Sequence, residues 1–146
     1  MDDRLPAHFN VLFTTLKTYQ EGLFDGAFKA SGFLILVIGW LLTSKEARAY
    51  LAQNAGARRM CTAVLLVAAA VYASVSWRVY ALSQVAFNGL AALNYLPVSA
   101  YVEHRIQGST LCLLIAQNML LTCLAAFLVI DTGRQRRSLG AEHLDE

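Results

Sequence analysis

The sequence predicts an all-α integral membrane protein with three transmembrane helices, an N-terminal amphipathic helix and a short interfacial helix between spans two and three. Two observations support this fold class. Hydrophobic residues make up 57% of the 146 residues and charged residues only 15%, with a mean hydropathy of +0.47, well outside the range of soluble domains. Three long apolar runs, at positions 30–44, 60–77 and 106–130, contain no charged residue.

The lengths of these runs predict where the spans lie. An α-helix rises about 1.5 Å per residue, so about 20 residues cross a hydrocarbon core about 30 Å thick. The second and third runs predict spans at residues 60–80 and 107–130, and the first reaches that length as a span at residues 25–44. A chain of this size has room for a single membrane domain and for no separate soluble domain.

Residues 6–24 predict an amphipathic helix that begins at Pro6, a residue suited to the first helical turn. Apolar side chains recur on one face at helical spacing. They are Phe9, Leu12, Phe13, Leu16, Tyr19, Leu23 and Phe24. The opposite face is too polar to cross a membrane, so we expect this helix to lie in the interface or to dock on a partner. Gly22 and Gly26 predict a bend where it turns into the first span.

Residues 79–102 are uncharged and long enough to form a fourth span. A fourth span would need a tight turn around Trp77 and Arg78, where no Gly, Pro or Asn is available. We therefore expect a short interfacial helix at residues 82–95 and keep the fourth span as the alternative. The two amphipathic segments would then form a collar on the outer face. The polar tail at residues 132–146 is expected to be disordered.

Basic residues predict the topology. They cluster after the first and third apolar runs, as Lys45, Arg48, Arg58, Arg59, Arg134, Arg136 and Arg137. By the positive-inside rule both clusters face the cytoplasm, which places the N-terminus outside and the C-terminus inside. The abundance of Arg and Ala favours a bacterial inner membrane.

Two adjacent amides, Gln117 and Asn118, lie in the middle of the third span. Amides at this depth must face protein or water rather than lipid. Neighbouring helical positions point about 100° apart, so the two side chains need two different neighbours. Three helices barely provide them, which favours an oligomer or a larger complex. Alternatively, these amides and Thr122 line a polar path.

Small residues in and before the first span indicate a surface for close helix packing. They are Gly22, Gly26, Gly32 and Gly39. We expect these glycines to contribute to helix–helix or partner contacts.

A polar cluster is predicted at the outer interface, made of Asp25, Arg78, Glu103 and His104. Arg78 follows Trp77 and is typical of a basic side chain that reaches the interface beside aromatic residues, or it pairs with Asp25 or Glu103. Glu103 and His104 have the chemistry for acid–base catalysis. Adjacent residues point apart on a helix, however, and no nucleophile motif accompanies them, so an ordinary polar cap is expected.

The composition argues against several functions. The sequence places no His in a span, no acidic residue deep in a span and no Gly-rich phosphate loop, so we expect no cofactor and no metal. A dispersed net charge of +2 argues against nucleic acid as a partner. The three cysteines, Cys61, Cys112 and Cys123, are expected to fill space between packed helices.

These observations predict a non-catalytic small subunit, a scaffold or accessory component of a larger membrane complex. Its expected partners are the lipid bilayer and other integral membrane subunits or copies of itself. A homo-oligomeric channel or passive facilitator is the first alternative. A lipid-facing membrane enzyme built on the outer polar cluster is the second.

Overall fold

The computed structural model describes residues 4–142 of the chain, and the side chains of residues 5–132. The described residues form α1 (Arg4–Thr43), α2 (Lys45–Gln53), α3 (Ala55–Leu93), two short 3-10 helices (Val98–Ala100 and Val102–His104) and α4 (Gly108–Glu142), with no strand among them. Three stretches are long and apolar enough to cross a membrane: Leu5–Thr43, Ala55–Leu93 and Val102–Thr132. The all-α class with three candidate spans is confirmed.

The predicted amphipathic helices are not separate elements. α1 contains both the segment at residues 6–24 and the span at 25–44, and it continues through Gly22 and Gly26 without ending. α3 likewise contains the predicted span at 60–80 and nearly all of the predicted interfacial helix. A glycine inside a helix costs only about 1 kcal/mol, too little to end a well-packed helix. At about 60 Å each, α1 and α3 are about twice as long as the hydrocarbon core is thick.

The segment at residues 45–53, which lies between the predicted spans at 25–44 and 60–80 and was not predicted to be helical, forms α2. Ser44 caps its first turn with the side-chain oxygen. At the other end, the Arg58 guanidinium donates hydrogen bonds to the carbonyl oxygens of Leu51, at 2.7 Å, and Ala52, at 3.0 Å. These two bonds satisfy carbonyls that a helix end leaves without a partner. Arg58, one of the clustered basic residues, therefore has a structural role.

The chain divides into two compact units. The first unit contains Met1–Phe28 and Ala73–Ile115, and the second unit contains Lys29–Tyr72 and Ala116–Glu146. α1 and α3 each contribute to both units, because each helix passes from one to the other.

One hydrophobic cluster of the first unit contains part of the apolar face predicted for residues 6–24. The buried side chains of this cluster are Phe9, Leu16, Ala86, Phe87, Leu90 and Tyr101. Leu16 is 0% exposed, and it packs in this cluster with side chains from α3. Side chains of the same chain cover Phe9, Leu16 and Leu23 of the predicted face, whereas Phe24 is 44% exposed. No outer collar of separate helices is present among the described residues.

The connection from α3 to α4 is held by specific contacts in the first unit. α3 ends at Leu93, and Asn94 has φ 47°, the left-handed conformation that commonly ends helices. The Tyr101 ring packs against Phe87, with centroids 5.5 Å apart. The Gln84 amide donates a hydrogen bond to the backbone oxygen of Ile106 at 2.9 Å. Because α3 continues through Trp77 and Arg78 to Leu93, residues 79–93 belong to the second candidate span, and the described residues contain no fourth one.

The second unit has a thin core and a mostly outward-facing surface. Its buried apolar residues are Leu34, Ile38, Leu41, Ala47, Leu51, Leu65, Ala69, Ala125, Ala126 and Val129. Only 11% of the most apolar segment of α3 is buried within the chain. Most of the side chains in this segment therefore face away from the rest of the chain. α4 runs on to Glu142, which differs from the disorder predicted from residue 132, and residues 143–146 lie outside the described part of the chain.

Burial of Leu16 gives a direct test of the first unit. We expect Leu16→Ala to lower the free energy of unfolding by about 2–5 kcal/mol, because it removes a completely buried side chain. Val11→Ala, at a position 64% exposed on the same helix, should change it by less than about 0.5 kcal/mol. Thermal unfolding of the detergent-solubilised protein, followed by circular dichroism, compares the two variants. Equal small effects would mean that the apolar face is covered by lipid or detergent instead.

Candidate functional site

The most informative site is a cluster of polar side chains inside the second unit. It consists of Ser31 from α1 and Gln117, Asn118 and Thr122 from α4. The Ser31 hydroxyl donates to the Asn118 side-chain oxygen at 3.5 Å, and the Gln117 amide donates to the Ser31 hydroxyl oxygen at 3.3 Å. The Thr122 hydroxyl donates to the backbone oxygen of Asn118 at 2.8 Å. We call these four residues the Ser31 cluster.

The two amides of the cluster have different surroundings. Asn118 is 2% exposed, whereas the Gln117 side chain is exposed. Sequence reasoning expected two different neighbours, but the single Ser31 hydroxyl contacts both amides. Ser31 itself was missed. The available signal was a small polar residue between Ala30 and Gly32 in an otherwise apolar run, a residue type that forms hydrogen bonds between helices in membranes.

A small cavity of about 110 Å³ adjoins the buried side of the cluster. Its walls are mostly apolar and small, and include Phe33 from α1 and Ala68 and Tyr72 from α3. Asn118 and Thr122 supply polar atoms. The Tyr72 hydroxyl is buried and has no hydrogen-bond partner among the described residues.

The residues of the predicted outer polar cluster lie in the first unit. Asp25, Arg78 and Glu103 are exposed and His104 is half-buried. Within the part of the chain that the structure describes, no hydrogen bond or ion pair joins Arg78, Glu103 and His104 to one another.

His104 instead has a structural environment that sequence reasoning missed. Its Nδ1 lies 2.9 Å from Oε1 of Gln20 on α1. Its ring meets the Phe13 ring edge-on, with centroids 5.2 Å apart. Both contacts tie the α3–α4 connection to α1. This arrangement fits a polar cap better than an acid–base catalyst.

The predicted glycine contacts are not made within the chain. A Cβ atom added to Gly22, Gly26, Gly32 or Gly39 meets no atom within 4 Å. Two other glycines do lie close to another helix. An added Cβ would lie 3.4 Å from a Leu12 methyl group at Gly89, and 3.4 Å from the Tyr80 hydroxyl oxygen at Gly108. The contact of the four glycines with a partner stays a prediction.

The cysteines do not pack between helices as the sequence suggested. Cys61, Cys112 and Cys123 are all exposed and free. Their side chains point away from the core because their positions fall on the outward faces of α3 and α4. Among the described residues, no group of three or more His, Cys, Asp and Glu side chains is placed to hold a metal ion.

Fold and site together define an all-helical protein with three helices that can cross a membrane and a polar cluster within its apolar part. The chain matches no protein-family model, no curated protein and no solved structure. Its function is therefore inferred from its own residues.

The different burial of the two amides predicts different effects on stability. We expect Asn118→Ala to lower the free energy of unfolding by about 1–2 kcal/mol, because it removes a buried hydrogen bond and leaves the Ser31 hydroxyl without its acceptor. Gln117→Ala should change it by less than about 0.5 kcal/mol, because the side chain is exposed. Unfolding in a graded series of detergent mixtures measures both variants. A larger loss in Gln117→Ala would contradict the assignment of Asn118 as the structural amide.

Proposed function

We propose that this protein is a non-catalytic small subunit, a scaffold or accessory component of a larger membrane protein complex. In this proposal it is a multi-pass protein of the bacterial inner membrane, with its N-terminus outside and its C-terminus in the cytoplasm. Other integral membrane subunits, or copies of the chain, are its partners within the bilayer.

The observation that carries the proposal is the incomplete hydrogen bonding of the Gln117 side chain. One N–H of its amide is used by Ser31, and the side chain makes no other hydrogen bond within the described chain. Its carbonyl oxygen and second N–H therefore face outward from the middle of the third span. Each unsatisfied polar group in hydrocarbon costs several kcal/mol. A neighbouring protein that offers a polar side chain or backbone group at this depth removes the cost.

The open glycines of α1 support the same proposal. Gly32 and Gly39 lie in the apolar part of the helix, and within the described part of the chain no atom lies within 4 Å of a Cβ added at either position. Small residues at a membrane helix surface allow another backbone to approach closely. Together with the outward amide of Gln117, they give the second unit two features that favour a protein neighbour over lipid.

The alternatives receive less support from the geometry. A pore lined by Gln117, Asn118 and Thr122 requires these side chains to share one surface, yet Gln117 is exposed while the other two are buried. A lipid-facing enzyme requires Glu103 to act with His104, whose Nδ1 lies beside Gln20.

Removal of the Gln117 amide tests the proposal. We expect Gln117→Leu to lose co-purifying membrane subunits while the fold stays intact, because the outward hydrogen-bonding groups are gone and the position remains apolar and exposed. The control is Val67→Ala, which shortens a side chain 62% exposed on another span. Extraction in mild detergent, followed by native mass spectrometry, compares the bound species.

The outcomes separate the candidate functions. Wild-type protein that carries no other protein, or Gln117→Leu that retains every partner, would contradict the accessory role. A homogeneous oligomer of this chain alone, with ion or solute flux in liposomes altered by Gln117→Leu, would establish the channel instead. Absence of flux from the purified protein is the result we expect.

A further inference from the structure

A groove of about 480 Å³ opens on the surface of the second unit, beside the start of α3. The residues that line it include Arg58, Arg59, Thr62, Ala63, Leu66 and Ile130. These side chains are not used by the Ser31 cluster or by the proposed partner surface around Gln117. The groove is therefore a separate feature that needs its own explanation.

The chemistry of the groove changes in one direction along α3. Arg59, Thr62 and Leu66 are spaced so that they share one face of the helix, with Ala63 between them. Over about 10 Å, the face changes from a cation to a hydroxyl and then to apolar side chains. Ile130 of α4 adds to the apolar end. This order matches an amphiphile with a charged head, a polar linker and a hydrocarbon chain.

The polar end of the groove is positively charged, and one of its two arginines makes no hydrogen bond or ion pair within the described chain. Arg58 holds the end of α2 through two backbone oxygens. Arg59 is exposed and takes part in no hydrogen bond or ion pair within the described chain. α3 begins at Ala55, so the positive end of its helix dipole lies beside these arginines.

The second unit as a whole is also basic. Among residues 29–72 and 116–132, the charged side chains are Lys29, Lys45, Arg48, Arg58 and Arg59 against Glu46 and Asp131. A groove in a basic surface at the end of a membrane span attracts anionic lipid rather than neutral lipid.

We propose that this groove binds an anionic glycerophospholipid, with its phosphate at Arg59, an ester oxygen at the Thr62 hydroxyl and one acyl chain along Ala63, Leu66 and Ile130. The site is independent of the accessory function, and it rests only on the placement of the second unit in a membrane. Charge complementarity and the polar-to-apolar order of the walls select a lipid over a protein helix, which would leave Arg59 facing an apolar surface.

The test compares lipid binding by single variants. Detergent-solubilised protein is titrated with phosphatidylglycerol or phosphatidylcholine of the same acyl chains, and bound lipid is counted by native mass spectrometry. We expect tighter binding of phosphatidylglycerol. Arg59→Ala should weaken it about fivefold, the effect expected of one basic residue at an anionic surface. The matched control is Arg48→Ala, which removes the same charge from an exposed position outside the groove lining.

A second variant tests the apolar half without a change in charge. Ala63→Phe places a large ring in the groove and should weaken both lipids, while the melting temperature stays within about 2 °C of wild type because the added ring lies at the surface. Equal binding of the two lipids by the wild type, or equal losses in Arg48→Ala and Arg59→Ala, would overturn the proposal in favour of general surface charge. A photo-crosslinker at residue 63 that captures protein and no lipid in native membranes would also overturn it.

Discussion

Hydrocarbon accepts and donates no hydrogen bonds, and this constraint governs every polar group in the apolar part of the chain. Asn118 satisfies it inside the protein, where its side-chain oxygen accepts the Ser31 hydroxyl. Gln117 satisfies it only in part, through one bond to the same hydroxyl. Neighbouring positions on one helix thus have different surroundings. Asn118 is buried and joins α4 to α1 through Ser31, whereas the Gln117 side chain is exposed.

The two units solve the burial of apolar surface in different ways. In the first unit, aromatic rings of α1 and α3 pack against Tyr101. The Arg105 guanidinium lies over the Phe87 ring, 5.0 Å from its centroid. Large aromatic side chains supply much contact area in a small core. In the second unit, small and aliphatic residues form a thin core, and most of the apolar side chains are exposed. The first unit therefore has an aromatic core, whereas the second unit leaves most of its apolar side chains exposed.

Sequence reasoning predicted what depends on composition and periodicity. Charge-free runs identified the three spans, and helical spacing identified the face that contains Leu16 and Leu23, both buried. Periodicity does not show what packs against a helix face. The packing of α3 against α1 in the first unit was therefore not predicted. Ser31 was missed because its role depends on a residue far along the chain. α2 was missed because a capped helix of nine residues, rich in charge, looks like a loop in composition.

Continuity of α1 has a consequence for how this sequence can change. Its buried positions, which include Phe9, Leu16, Leu23, Ser31 and Leu41, follow one stripe along the whole helix. One inserted or deleted residue would rotate everything after it by about 100° and put the two ends of the stripe out of phase. Insertions and deletions among homologues should therefore concentrate in the turn at Asn54 and in the connection after Asn94. The number of residues in α1 should stay fixed.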